Sequence, residues 1–464
     1  MNTCFISTYE LGRQPFGVAS PAAWLTSNDC TVTCIDLSVQ SLDKSAIVAA
    51  DLIAFYVPMH TATRIAAALM PQIRRLNCRA HICFYGLYAP LNEAYLRSIG
   101  AQTILGGEYE QGLLALVKRI AQETANPLSE RCSRIQTEPV ISLARQQFLR
   151  PDRSGLPDLS KYAHLVVAPG EERIVGYTEA TRGCKHLCRH CPIVPVYQGR
   201  FRAVQQEVVL DDIAQQVEAG ADHITFGDPD FFNAPRHSIA LVTKLHQRFP
   251  DVTYDVTIKI EHLVKHAGYL SVLRGTGCMF VTSAVESFDD RILNIFNKRH
   301  TKQDILRVLT LFRRAGLILI PTFVAFTPWT TLKGYCEFLA LILDFDLVGS
   351  VAPVQYGIRL LIPASSKLLE LDSTQRVVGD FDKESLCYPW THPDPSMDAL
   401  QADIFTAVVD WQERNDTREQ LFAMIWEMAH ARYGNGQKQL EWRRDRRDAP
   451  ARVTIPYMTE PWFC

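Results

Sequence analysis

Cys184, Cys188 and Cys191 stand at Cys-x3-Cys-x2-Cys spacing in the run Ala180-Thr181-Arg182-Gly183-Cys184-Lys185-His186-Leu187-Cys188-Arg189-His190-Cys191-Pro192. Thiolates ligate iron-sulfur clusters, zinc and copper(I). A closed structural zinc site wants four ligands, and clusters in electron carriers take four cysteines. Three local thiolates would leave one iron of a 4Fe-4S cluster open, and an open iron is a place for a ligand. The zinc reading would recruit His186 or His190 as fourth ligand. The x3 spacing and a position just after a strand count against it. Gly183 allows the close backbone approach that a cluster loop needs.

Further along stand Gly227-Asp228-Pro229-Asp230, Val285-Glu286-Ser287 and Asn297-Lys298-Arg299-His300-Thr301. Taken alone, the aspartates read as caps of the following segment and Glu286 as a salt-bridge partner. Each group also follows an apolar run, and the carboxyl ends of barrel strands are where chemistry is carried.

The elements that position these residues show in the periodicity. Short apolar runs at Cys4–Ser7, 32–36, 52–57, 80–85 and 103–105 alternate with amphipathic stretches at 18–25, 63–76 and 110–121. That rhythm predicts a parallel sheet covered on both faces, here an open, flavodoxin-like α/β domain over residues 1–125. Proline-rich residues 126–173 read as a linker. The rhythm returns over 174–371, with strands expected at 174–178, 223–226, 253–258, 279–284, 318–325 and 354–361 and helices at 211–219, 238–249, 302–315 and 332–344. Six repeats fall short of a closed eight-fold barrel, so a partial (β/α)6 barrel is predicted. Residues 372–464 read as a mainly helical region and tail, with helices at 398–411 and 418–432. The basic run Lys438–Arg447 reads as a solvated helix face.

Composition bounds the function. The chain has 464 residues, so about three domains are expected. With 47% hydrophobic and 21% charged residues it is an ordinary globular chain, not a disordered one. A net charge of -2 gives no global electrostatic reason to bind nucleic acid. The most apolar run, 315–327, is too short to span a bilayer and is broken by Pro321. The first residues lack a secretory pattern. The expectation is a cytoplasmic protein with no membrane partner, in which the 13 cysteines are metal ligands, redox groups or buried small side chains.

Cys184, Cys188 and Cys191 resemble the signature of radical S-adenosylmethionine (radical SAM) enzymes. The resemblance continues through Gly227-Asp228-Pro229-Asp230, placed like the family's Gly-Gly-Glu turn, and through Val285-Glu286-Ser287 and Asn297–Thr301. Thr327–Thr331 and Pro363–Ser366 are degraded matches to later motifs. It implies a 4Fe-4S cluster on the three cysteines and S-adenosylmethionine chelating the open iron. Gly227 and Asp228, or Asp230, would meet its amino group, and Glu286 and Ser287 would lie near its ribose. It also implies reductive cleavage of a carbon-sulfur bond and a reductant such as flavodoxin or ferredoxin. Substrate and product stay open.

The first domain is similar to the cobalamin-binding domain that precedes many radical SAM cores, through Phe16–Ala19, Tyr56–Thr63 and Gly107–Glu110. The Asp-x-His-x-x-Gly cobalt-ligating motif is absent, as it is from many radical members. The resemblance implies either cobalamin over the strand ends, with His60 within approach, or a domain that kept the fold and lost the ligand. Across nearly the whole chain the sequence resembles the group named for its Cys-Sec-Ala-Glu-Pro or Cys-Cys-Ala-Glu-Pro tail, through residues 188–202, 227–233 and the final Glu-Pro-Trp-Phe-Cys. Related proteins move the 3-amino-3-carboxypropyl group of S-adenosylmethionine onto arsenic. That transfer, cobalamin-dependent methyl transfer and a non-enzymatic iron-sulfur redox sensor are the alternatives to ordinary radical chemistry. The tail resemblance also raises the expectation that translation continues past Cys464 through a selenocysteine codon, against the plain reading of a chain that ends there.

Overall fold

The computed structural model describes residues 1–125, 136–412, 417–434 and 455–459. The N-terminal sheet contains β1 (Asn2–Ser7), β2 (Thr31–Asp36), β3 (Leu52–Tyr56), β4 (His81–Tyr85), β5 (Thr103–Gly107) and β6 (Ile141–Ser142). Its order is β2-β1-β3-β4-β5-β6, and every pairing is parallel. Successive side chains point to opposite faces. Ile6, Ile53, Phe55, Ile82 and Phe84 therefore pack against the helix His60–Leu76. Phe5, Ala54, Tyr56, Cys83 and Tyr85 face the helices Phe16–Thr26 and Glu110–Ala125. Burial on both faces explains why these strands read as short, nearly continuous apolar runs.

The segment 126–173 is more than the linker its composition suggests. It supplies β6 to the first sheet and β7 (His164–Ala168) to the second, whose next strand β8 (Glu171–Thr178) begins three residues before the expected position. These pieces form because edge strands offer unpaired backbone groups. Gly106 N donates to Val140 O at 2.7 Å and Glu108 N to Ser142 O at 2.8 Å. Pairing of this kind needs no apolar alternation, so it leaves no trace in the side-chain pattern.

The second sheet runs β14-β13-β12-β11-β8-β7-β15. After a small ribbon of β9 (Thr181–Gly183) and β10 (Phe201–Ala203) come β11 (His223–Phe226), β12 (Thr253–Thr257), β13 (Cys278–Glu286), β14 (Ile318–Phe323) and β15 (Tyr457–Met458). β8 and β11 to β14 are parallel, while β7 and β15 extend the β8 edge in antiparallel fashion. The strand expected at 354–361 does not form. Pro353–Tyr356 is a 3-10 turn, and the only trace of a sixth strand is the parallel bridge between Phe326 and Arg359. Gln355 explains this: its side-chain oxygen accepts from Phe323 N at 2.6 Å, so a side chain takes the place a strand would have filled beside β14. The result is a partial barrel of the expected kind with its last strand reduced to one contact.

The helices at Lys302–Ala315 and Leu332–Asp344 fall where the periodicity puts them. Thr301 and Asp304 close a capping box on the first, and Gly316 ends it in left-handed backbone. Helices Pro395–Gln412 and Arg418–Tyr433 add Leu400, Ile404, Phe422 and Ile425 to the barrel core. The basic run at 438–447 and Cys464 lie outside the described residues. No helix among the described residues is long and apolar enough to cross a membrane.

Candidate active site

The cysteine run begins at the carboxyl end of β8 and is tied down from several sides. Gly183 has φ +75°, and a Cβ there would meet the Tyr197 ring at 2.3 Å and Arg200 O at 2.7 Å. Asn233 Nδ2 donates to Gly183 O at 3.0 Å, and Lys185 N donates to Asn233 Oδ1 at 3.2 Å. On the far side Arg189 N donates to Phe296 O at 2.9 Å, and Asn297 Nδ2 donates to Leu187 O at 3.0 Å. The Gly227–Asn233 and Asn297–Thr301 motifs thus meet the loop between them, although 48 or more residues separate either tie from its partner in sequence.

Cys184, Cys188 and Cys191 are free thiols, Cys188 buried and the others half-buried. Burial pushes Cys184 up to about 12, and the two neighbouring cysteines add to the shift. Cys191 is likewise pushed to about 12 by burial and by Cys188, with Lys298 opposing. Cys184 and Cys191 thus resist ionisation as free thiols, and a cationic centre would overcome this, because a metal deprotonates a coordinating thiol outright. The donor set is therefore right for an iron-sulfur cluster.

Asp228 is buried, and both of its carboxylate oxygens have protein partners. They accept from Ala180 N at 2.9 Å and Thr181 Oγ1 at 2.6 Å. Burial nevertheless pushes the carboxyl up to about 7. Asp228 thus clamps the strand end that launches the cysteine loop. Gly227 is packed so tightly that a Cβ would lie 1.9 Å from the Tyr177 hydroxyl. Asp230 accepts from Phe232 N at 3.1 Å and is flanked by His186 Nε2 at 3.1 Å and His262 Nδ1 at 2.6 Å. Burial raises it, but the two histidines outweigh burial and hold it at about 2. Lys259 Nζ continues this network, 3.3 Å from His186 Nδ1 and 3.1 Å from Glu261.

Glu286 sits where β13 shifts register, at φ +68°. Its Oε1 lies 3.1 Å from His190 Nε2 and 3.2 Å from Lys298 Nζ. Burial opposes its ionisation, but Lys298 and His190 prevail and hold it well below the usual carboxylate range. Ser287 Oγ accepts from Asp289 N at 3.0 Å, and both Glu286 and Ser287 line a side cavity of about 320 Å³. The larger cavity, about 760 Å³, lies within the barrel and reaches Gly227 and Asp228. The motifs therefore converge, while sequence reading missed His186, His190, His262 and Lys298 as partners of the site carboxylates and Lys259 as the partner of His186. Their one signal was proximity to a motif, which does not tell contact from coincidence.

The N-terminal sheet presents a different strand-end surface. Thr8, Glu10, Tyr56, Val57, Glu108 and Tyr109 are all buried there. Arg182, next to the cysteine loop, reaches across to Glu110 at 2.5 Å and Glu108 at 3.5 Å while also pairing with Glu179 at 2.8 Å. Tyr197 Oη donates to Glu108 at 3.3 Å. His60 Nε2 contacts Ser385 O. Tyr56, Tyr85 and Tyr109 stack at centroid distances of 5.1 to 6.2 Å. Barrel residues thus sit directly on the strand ends over which a corrin would lie in an open α/β sheet. A cavity of about 400 Å³ remains beside these strand ends, lined among others by Gly106, Glu108, Tyr109 and Gly112.

With this geometry in place, comparison with known proteins is informative. Residues 178–329 match the radical SAM superfamily. Among curated relatives, the ribosomal protein uS12 methylthiotransferase RimO of Bacteroides thetaiotaomicron is 21% identical over 188 residues, 38% of this chain and 43% of that protein. The tRNA-2-methylthio-N(6)-dimethylallyladenosine synthase of Parabacteroides distasonis is 26% identical over 155 residues, 30% of this chain and 32% of that protein. The chain thus spans well under half the length of the curated relatives it matches. Among solved structures, the cobalamin-dependent S-adenosylmethionine radical enzyme OxsB with aqua-cobalamin bound superposes with a TM-score of 0.70 at 15% identity, covering 93% of this chain and 72% of that one. The radical S-adenosylmethionine methyltransferase TsrM from Kitasatospora setae, with cobalamin and a [4Fe-4S] cluster, gives 0.62 at 14% identity over 93% and 98%. At such identities the likeness is one of fold. Residues 178–329 are thus a radical SAM domain, and the open parallel sheet ahead of its barrel shares the fold of those two structures.

Proposed function

We propose that Cys184, Cys188 and Cys191 hold a 4Fe-4S cluster with one open iron, and that the barrel cavity is the chamber in which S-adenosylmethionine meets a substrate. The observation that carries this reading is the gathering of three buried or half-buried thiols in one loop whose clamp, Asp228, stands in the wall of a cavity of about 760 Å³, within the usual range for small-molecule sites. When bound, the cluster supplies the electron that cleaves a carbon-sulfur bond of S-adenosylmethionine. The protein's part is binding, orientation and exclusion of water. Asp228 and Asp230 set the loop that carries the sulfurs. The ion pair of Glu286 and Lys298 puts fixed charge of both signs beside it. Among the described residues the hydrogen bonds of Glu286 fall on Oε1, which leaves Oε2 to accept from a ribose hydroxyl. The division that follows is 1–125, 174–371 and 372–464, with 126–173 strapping the first two together.

Anaerobic reconstitution with iron and sulfide, followed by reduction in the presence of S-adenosylmethionine, tests the reading. The reductant in the assay is dithionite, standing in for flavodoxin or ferredoxin. Methionine with 5'-deoxyadenosine is the expected pair. Methylthioadenosine would assign 3-amino-3-carboxypropyl transfer, the chemistry of the arsenic-directed relatives. Cobalamin-dependent methyl transfer is the second reading, favoured by the fold shared with OxsB and TsrM and by a cavity of about 400 Å³ beside the strand ends of the N-terminal sheet. It requires S-adenosylhomocysteine and co-purifying or added cobalamin. No cleavage product from a fully loaded cluster would leave the redox sensor.

A further inference from the structure

The loop after β1, Thr8 to Pro15, leaves its own domain and carries Arg13 into the wall of the barrel cavity. The loop is fixed from the barrel side. Ala163 N donates to Gly12 O at 2.8 Å, Gln14 Nε2 donates to Pro157 O at 2.9 Å, and Arg153 donates to Gln14 Oε1 at 2.7 Å. The Arg13 guanidinium lies 5.0 Å above the centre of the Tyr177 ring. Its Nε is buried with no hydrogen-bond partner, and no carboxylate stands within ion-pair distance among the described residues. Arg153 and Arg182, the two buried arginines nearby, behave differently. Each is matched by carboxylates at 2.5 to 2.9 Å. A guanidinium left unpaired against a cavity carries a desolvation cost that a bound anion would offset.

The other charged groups facing this cavity are already engaged. Asp255 accepts from His223 Nε2 at 3.0 Å and Thr225 Oγ1 at 2.6 Å, and Asp228 accepts from Ala180 and Thr181. Arg418 adds a second positive charge to the lining, with one arm donating to Gly349 O. Of the acids near Arg13, Glu179 is bonded to Arg182, and burial pushes Glu10 well above its ordinary value, toward the neutral form. Thr257 and Thr282, register partners on adjacent strands, add hydroxyls to the lining, and Phe226 and Phe280 add apolar surface.

We propose that the barrel cavity takes a substrate bearing an anionic carboxylate or oxoanion group, and that Arg13, delivered by the N-terminal domain, binds that group. This rests on the reading of the cavity as the substrate chamber. It makes the cobalamin-binding-like domain a contributor to substrate recognition through its first loop. S-adenosylmethionine has a carboxylate of its own, so the test separates the two sources of negative charge.

Reconstituted enzyme, with Arg13→Ala and Arg13→Lys beside the wild type, is titrated with succinate, with its neutral diamide and with inorganic phosphate, followed by melting temperature. S-adenosylmethionine affinity and reductive cleavage are measured in parallel on the same preparations. The expected result is stabilisation of the wild type by succinate or phosphate and none by the diamide. Arg13→Ala should weaken the anion effect roughly 10- to 100-fold, as befits loss of a hydrogen bond to a charged group. Arg13→Lys should recover part of it, and S-adenosylmethionine affinity should not change. Equal anion responses in wild type and Arg13→Ala, or no anion response in the wild type, would overturn the proposal. So would loss of S-adenosylmethionine affinity in Arg13→Ala, which would assign the arginine to that carboxylate instead. An intact anion effect with no reductive cleavage in any variant would support the role of Arg13 and remove the radical reading.

Discussion

Both sheets of this chain end their parallel strands at a common region, yet the two sets of strand ends are used in opposite ways. Above the barrel sheet, the side-chain amides of Asn233 and Asn297 and the Phe296 carbonyl hold a loop of three thiols, which Asp228 ties to the wall of a cavity. Above the N-terminal sheet, Arg182 and its three carboxylates take part of the same topological position, beside a cavity of about 400 Å³. Burying one guanidinium among Glu108, Glu110 and Glu179 is tolerable only because each charge has a partner. An open α/β sheet offers its strand ends to a ligand, and here the second domain contacts that surface through Arg182.

The sharpest way to break this comparison is to remove a sulfur. Cys184→Ala, Cys188→Ala or Cys191→Ala should each abolish the cluster, read as loss of about four irons per chain and of the absorbance near ~400 nm. Cys34→Ala or Cys83→Ala in the N-terminal sheet should leave both intact, as should substitutions at Cys278, Cys336 and Cys387. A single loop mutant that keeps its iron would remove the assignment.

The next largest effect should come from the interface between the sheets. Arg182→Met leaves buried carboxylates uncompensated and should cost about 3–5 kcal/mol in urea unfolding, the range for breaking a buried pair from one side. Adding Glu110→Gln to that variant should return part of the loss. A strictly additive double mutant would mean that the two side chains act independently.

Glu286→Gln is expected to be milder. It keeps the shape but weakens the tie to Lys298 and the acceptor offered to the ligand. S-adenosylmethionine affinity should fall by about 1.5–3 kcal/mol, the worth of a hydrogen bond to a charged group, while iron content holds. Unchanged affinity in an equilibrium titration would leave Glu286 a purely structural neighbour of the loop.

The smallest effect lies in the N-terminal sheet and depends on pH. Burial holds His81 at about 4, below the ordinary value of 6.5. Between those values the unfolded chain binds the proton more readily than the folded one. Stability contributed there is present above the unfolded value and falls as pH drops from 6.5 toward 4. His81→Gln should flatten that part of the melting-temperature profile, and an unchanged slope would show that other groups set it.

Much of this was legible in the residues themselves. The cysteine triplet, the strand-helix rhythm of both halves and the capped helix at Lys302–Ala315 are written in spacing and periodicity, which local sterics and hydrogen bonding enforce. The Gly227–Asp230 and Glu286 motifs were placed at strand ends, where they are found. Their partners were not visible. Asp228 spends its oxygens on Ala180 and Thr181, 48 and 47 residues away, and Glu286 spends Oε1 on His190, 96 residues away. The sixth barrel strand was misread because Val354–Leu361 has strand-like composition, whereas a single side chain, Gln355, takes the edge of β14 first.

What the sequence determined by itself is the chemistry on offer: three soft ligands at a fixed spacing, carboxylates after apolar strands, and two α/β domains in tandem. Those features are local, and neighbouring residues suffice to specify them. Only the tertiary structure decided where each charge is spent. It set Arg182 among carboxylates on the first strand-end surface, opened a cavity in the barrel, and brought Arg13 from one domain to the wall of the other. The physical reason is that burial and pairing fix the energy of a charged group, and both are set by residues distant along the chain that only folding brings within a few ångströms.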